Sequence, residues 1–169
     1  MRKLTVILFA IAGVFGPITP VPLFSTTPAD IEKYDALPAG SKPSIPMFAG
    51  TGSASRIGAG GALIIGGFGS PKSPPNMMFG RGVDVRIRIK PPMTFFGGSF
   101  KVAPAGVKVT KVTFKFYSAT SVLIGTVTNP LTNVWTWIGY RTDPKWARVD
   151  VLGNGTLKGY VAFDDTRVK

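Results

Sequence analysis

Neither cysteine nor histidine occurs in the chain. Their absence removes thiol nucleophiles, disulfides, Cys/His zinc sites and every mechanism that needs an imidazole base. Glutamate is almost missing as well: Glu32 is the single one, beside seven aspartates. Acids total eight against twenty Lys and Arg, so the net charge is +12 and a polyanionic partner has to be considered. Strong helix formers are scarce, whereas Val, Thr and Phe recur throughout. No apolar run is long enough to cross a bilayer. The longest, Leu4 to Phe15, follows Arg2 and Lys3 and ends at Gly16-Pro17, the pattern of a signal-peptide core. An apolar first strand is the alternative reading of that run. Residues 1–24 are therefore expected to be a leader, with one domain over 25–169.

What is present points to strands. With 21 glycines and 15 prolines among 169 residues, long helices have little room. Val83 to Lys90 alternates strictly, which puts Val83, Val85, Ile87 and Ile89 on a core face and Asp84, Arg86, Arg88 and Lys90 toward water. Pro91-Pro92 is expected to stop that strand. From Lys108 to Tyr117, Val112, Phe114 and Phe116 face inward and Lys111, Thr113 and Lys115 outward. The phase changes near Thr110, so a bulge is expected there. Further strands fit Ala62–Ile65, Thr94–Val102, Ser121–Val127, Val134–Tyr140, Ala147–Leu152 and Tyr160–Val168, with turns at Asn129-Pro130, Thr142-Asp143-Pro144 and Gly153-Asn154-Gly155. About eight short strands at this spacing predict an all-β fold, an antiparallel β-sandwich of the jelly-roll kind. The glycine-dense stretch Ala49–Ser70 lacks both Gly-Lys-Ser/Thr and GxGxxG, so it reads as short strands and turns rather than a phosphate loop.

Three C-terminal motifs carry a family resemblance: Trp137-Ile138-Gly139, then Val149-Asp150-Val151, then Phe163-Asp164-Asp165. Together with the opening Tyr34-Asp35-Ala36-Leu37-Pro38-Ala39-Gly40, they resemble the jelly-roll domains of bacterial PEP-CTERM surface proteins and related galactose-binding-like modules. The resemblance implies Trp137 in the core. It also implies a structural calcium where an early acid meets an acid of the last strand: Asp35 with Asp164, and Asp165 or Glu32 as an additional ligand. A solvated Asp pair is the competing reading. No Pro-Glu-Pro motif follows, so free secretion or periplasmic residence, rather than sorting to the cell surface by an exosortase, is the expectation.

Candidate contact residues fall into two groups. Trp135, Trp137, Tyr140 and Trp146 gather around one expected turn, and exposed rings stack on sugars. Tyr140 and Trp146 flank that turn and are the ligand candidates, with burial in the core as the alternative for aromatics of this size. The span from Lys72 to Lys115 holds nine cations and one acid, Asp84. If the strands bearing Arg86, Arg88 and Lys90 and those bearing Lys111 and Lys115 are neighbours, a cationic sheet face results. Such a face suits sulfate, uronate or phosphate groups, although the same cations could simply block edge pairing. Asp164 and Asp165 point to opposite strand faces and cannot act as a paired acid and base. No groove-reading helix or ribonucleoprotein motif is evident, so nucleic acid is not expected. The sequence reading is thus an exported, non-catalytic module that binds carbohydrate or an acidic polymer such as a polysaccharide. A matrix protein that engages another protein is the alternative.

Overall fold

The alternation read at Val83–Lys90 continues past its expected stop. In the computed structural model, which describes residues 18–67, 71–72, 74–102, 109–155 and 159–169, a single strand runs from Asp84 to Val102. Proline lacks a donor for the ladder, but Pro91-Pro92 here falls where the pairing register is already interrupted, so the strand bends instead of ending. The expected turn at Thr142–Pro144 behaves the same way, inside one strand from Thr136 to Gly155. The described residues form twelve strands rather than about eight. They are β1 (Thr19–Pro20), β2 (Ile31–Glu32), β3 (Gly40–Lys42), β4 (Ser44–Met47), β5 (Gly52–Ile57) and β6 (Ala62–Gly66), followed by β7 (Met77–Arg81), β8 (Asp84–Val102), β9 (Val109–Tyr117), β10 (Leu123–Pro130), β11 (Thr136–Gly155) and β12 (Gly159–Val168).

All pairings are antiparallel, and the two long strands organise them. β8 and β11 pair on both sides of an irregular middle, with Thr136 opposite Phe100 at one end and Val151 opposite Val85 at the other. The first half of β8 also pairs with β5, and the second half of β11 pairs with β9, which in turn carries β10. The second half of β8 pairs with β12, which leads on to β7, β6 and β3. Because both long strands bend at their prolines, the hydrogen-bonded ladder folds over into two layers, the corner geometry by which strands pass from one sheet of a sandwich to the other. The architecture is an antiparallel all-β sandwich.

Aromatic rings lock the layers together. Phe96 and Phe100 from one layer meet Phe114 and Phe116 from the other at centroid distances of 5.2–6.0 Å. Val85, Ile87, Val149 and Val151 complete the inner face, all buried as the period-two reading requires. Each such side chain contributes about 1.5–3 kcal/mol relative to exposure. The expected bulge is present: Asn154 pairs with Lys111 and Gly155 with Val109, leaving Thr110 as the extra residue, so both Thr110 and Lys111 face solvent.

The opening segment is built in more deeply than expected. Tyr34 is buried, and its hydroxyl meets Thr166 Oγ1 at 2.9 Å. Ile18 to Phe24, assigned to the leader by the sequence, belong to the sandwich: β1 pairs with β11, and the Arg167 guanidinium donates to the Phe24 carbonyl. The charged start and apolar run at residues 1–17 lie outside the described residues, as does Lys108.

Candidate functional site

On the outer face of the layer formed by β5, β8, β11 and β9, cross-strand register places outward side chains in rows. One row runs Ser53, Arg88, Arg148, Tyr117, and the next runs Ser55, Arg86, Asp150, Lys115. The strands carrying Arg88 and Lys115 are therefore not neighbours. β11 lies between them and adds one cation and one acid. Arg148 and Asp150 alternate within the Ala147–Leu152 strand, and that alternation is the sequence pattern that could have identified them.

Asp150 divides the cations into two kinds. Its carboxylate accepts from Arg86 Nε at 2.7 Å and from Arg86 Nη2 at 2.8 Å, a bidentate pair that raises the Arg86 pKa. Arg86 is thus engaged within the fold rather than free for a ligand. Arg148 lies 3.6 Å from the same carboxylate through Nε, too far for a hydrogen bond, and its guanidinium stacks 3.5 Å above the Tyr117 ring. Arg148 Nε is buried without a hydrogen-bond partner among the described residues. Arg88 is exposed, and its pKa is lowered first by desolvation and then by the charges of Arg86 and Arg148. Neither Arg88 nor Lys90 makes an ion pair among the described residues. A cluster of cations that disfavour one another is stabilised by an incoming anion.

Unpaired Arg88 and Lys90 border a cleft of about 470 Å³, with Arg148, which keeps its contacts with Asp150 and Tyr117, beside them. Arg88, Lys90 and Arg148 line it together with the hydroxyls of Thr51, Ser53, Ser118 and Ser121, and no acid does. Gly52 shapes its rim. A Cβ there would come within 2.8 Å of the Phe48 ring and 2.9 Å of the Arg88 carbonyl oxygen, so only glycine lets β5 approach β8 this closely. Lys115 lies one row away beside Asp150, and Lys111 sits at the far end of β9, so neither lines the cleft.

The aromatic candidates are corrected. Trp146 is fully buried, with its Nε1 donating to the Phe95 carbonyl at 3.3 Å. Tyr140 is buried against Phe114 and Phe116, and its hydroxyl accepts a short hydrogen bond from Asn129 Nδ2. Neither can stack on a ligand. The reason is the bend that replaced the expected turn: residues flanking a loop can face solvent, whereas here both keep the inward phase of a continuous strand. Trp137 is corrected in the opposite sense. It lies half-buried on the outer face of the other layer, its ring spread over Gly97, where a Cβ would come within 2.6 Å of it. Phe24 packs edge-on against that ring at 5.7 Å.

Asp35, Asp164 and Glu32, named as calcium ligands, each accept backbone hydrogen bonds, and Asp35 lies close enough to Glu32 for its charge to act on it. Asp35 Oδ1 accepts from the Asn76 amide at 3.3 Å, and Asp164 Oδ1 accepts from the Asp165 amide at 2.8 Å. Glu32 accepts from the Tyr34 and Phe48 amides at 3.0 and 3.2 Å, and burial raises its pKa against those hydrogen bonds. Asp164 is fully buried; burial lowers the Lys101 pKa, and the Asp164 charge opposes that shift. Among the described residues no group of three acids is placed to hold a metal ion by side chains alone.

Comparison with known proteins bears on the fold. The chain is similar to part of an arabinose-bound MgGH51 α-L-arabinofuranosidase, with a TM-score of 0.55 and 12% identity. That likeness covers 80% of this chain and 25% of the other, so the chain spans a quarter of that enzyme. A weaker likeness, TM-score 0.44 at 12% identity, covers 70% of this chain and 19% of the enzymatically active domain of bacteriophage CBA120 tailspike protein 4. No protein-family model and no curated protein matches the sequence. At this identity the first likeness shows the fold alone. Among the described residues, no helix is long and apolar enough to cross a membrane.

Proposed function

We propose that this protein is a non-catalytic binding module for an acidic polysaccharide, held by carboxylate or sulfate groups in the Arg88–Lys90–Arg148 cleft. One observation carries the reading: three cationic and four hydroxyl-bearing residues line a cleft with no acid among its described lining residues, while the nearest acid, Asp150, is gripped by Arg86 and shared with Arg148. Guanidinium forks suit planar carboxylates, and serine and threonine hydroxyls suit the sugar hydroxyls beside them. The likeness to part of an α-L-arabinofuranosidase supports a carbohydrate setting through the fold alone. Secretion or periplasmic residence, and kinship with the PEP-CTERM-type domains, belong to the same proposal.

Calorimetry with polygalacturonate, a sulfated polysaccharide and a neutral glucan, in low and high salt, tests it. The two polyanions should bind saturably and more weakly at high salt, because exposed charges are then screened. Arg88→Ala and Arg148→Ala should each cost about tenfold in affinity, from hydrogen bonds to charged groups of roughly 1.5–3 kcal/mol. Equal binding of the neutral glucan would refute the site, and release of reducing ends would refute the non-catalytic reading.

Structural calcium is a separate proposal that rests on the resemblance. If it is correct, EDTA lowers the melting temperature and added calcium restores it; an unchanged melting curve removes the ion.

A further inference from the structure

A second cavity, of about 590 Å³, opens on the outer face of the other layer, at β3, β6, β7 and the start of β12. Its character is the reverse of the cationic cleft. Phe79 and Ile64, directly opposite each other across β6 and β7, belong to an apolar cluster separate from the main core. Tyr160 borders the cavity with φ of 65°, a backbone conformation that residues other than glycine seldom adopt. Gly40, Gly66 and Gly67 contribute bare peptide planes to the lining.

Among the described residues, Arg81 is the single charged residue in that lining. It is exposed, and its cross-strand neighbours are Ala62 on one side and Gly159 on the other, neither long enough to reach its guanidinium. No acid pairs with it among the described residues. An apolar cavity with one unpaired cation at its border selects a molecule that is mostly apolar and carries one negative charge. A sugar ring fits poorly. Among the described lining residues only Ser41, Arg81 and Tyr160 offer polar side-chain atoms, few partners for the hydroxyls of a sugar.

We propose that this trough binds a small aromatic acid, its ring against the half-buried Ile64 and Tyr160 and its carboxylate on Arg81. The site stands apart from the polysaccharide reading and does not depend on it. The probe is 4-hydroxycinnamate in calorimetry with the full chain, with cinnamyl alcohol as its neutral counterpart. Saturable binding of the acid is expected, about tenfold weaker for the alcohol and about tenfold weaker for the acid in Arg81→Ala. Ser41→Trp, at an exposed position on the trough border, should block binding without disturbing the core, and Arg88→Ala should leave it unchanged. Absence of saturation at millimolar probe, loss in Arg88→Ala, full binding by both trough variants, or tighter binding of octanoate would each overturn the proposal.

Discussion

Replacing Trp146 with alanine should lower the melting temperature by on the order of 10 °C, since each kcal/mol is worth roughly 2–4 °C in a domain of this size. Trp146 is fully buried where β11 bends, with Phe96 at 5.4 Å, Phe116 at 6.2 Å and its indole N–H on the Phe95 carbonyl. Truncation leaves a cavity between the two layers and strips that carbonyl of its donor. Deletions of this kind cost about 3–5 kcal/mol. Thermal melting followed by circular dichroism checks the value. A shift within a degree or two would mean that the ring is not wedged between the layers, and the corner built by β8 and β11 would need another explanation.

Asp150→Asn is expected to act in two directions at once. It removes the negative charge that holds Arg86 in a bidentate grip and sits beside Arg148, leaving Arg86, Arg88 and Arg148 crowded without an acid. Removing one partner of a buried pair costs roughly 3–5 kcal/mol, and the lower end applies here because the Arg86 side chain is 26% exposed. Stability should therefore fall by about 3 kcal/mol in urea titration. Affinity for a polyanion should rise at low salt, because the site gains one net positive charge. A variant that loses stability and binding together would show that Asp150 positions the cations rather than competing with the ligand. In that case Arg148 would need its carboxylate neighbour in order to present itself to the cleft.

The period-two pattern made much of the fold legible. Val83, Val85, Ile87, Ile89, Val112, Phe114 and Phe116 turn inward as expected, the phase slip at Thr110 is a bulge, and Thr113, expected to face water, is covered through its bonds to Thr128 and Asn154. The difficulty lay at Pro91-Pro92 and Thr142-Asp143-Pro144. Locally each is a chain breaker, and only the pairing of β8 with β11 along both halves turns the two breaks into matched bends. That one misreading also explains the aromatic error. Once the turn is a bend, Tyr140 and Trp146 belong to the interior.

The candidate site was legible in its chemistry and not in its membership. An excess of Lys and Arg beyond Lys72 drew attention to a cationic face, and Arg88 and Lys90 do border the cleft. Strand order could not be read, because alternation tells which face a residue occupies and is silent about which strand lies beside it. The insertion of β11 between β8 and β9 brought Arg148 to the cleft, tied Arg86 to Asp150 and left Lys111 at a distance.

Composition and periodicity alone thus determined an all-β chain, strongly basic, without imidazole or thiol chemistry, with Arg86, Arg88 and Lys90 on the outer face of their strand. The tertiary structure decided which cations are neutralised and which stay free. Ion pairing depends on long-range register between strands more than sixty residues apart, and no local pattern encodes that distance.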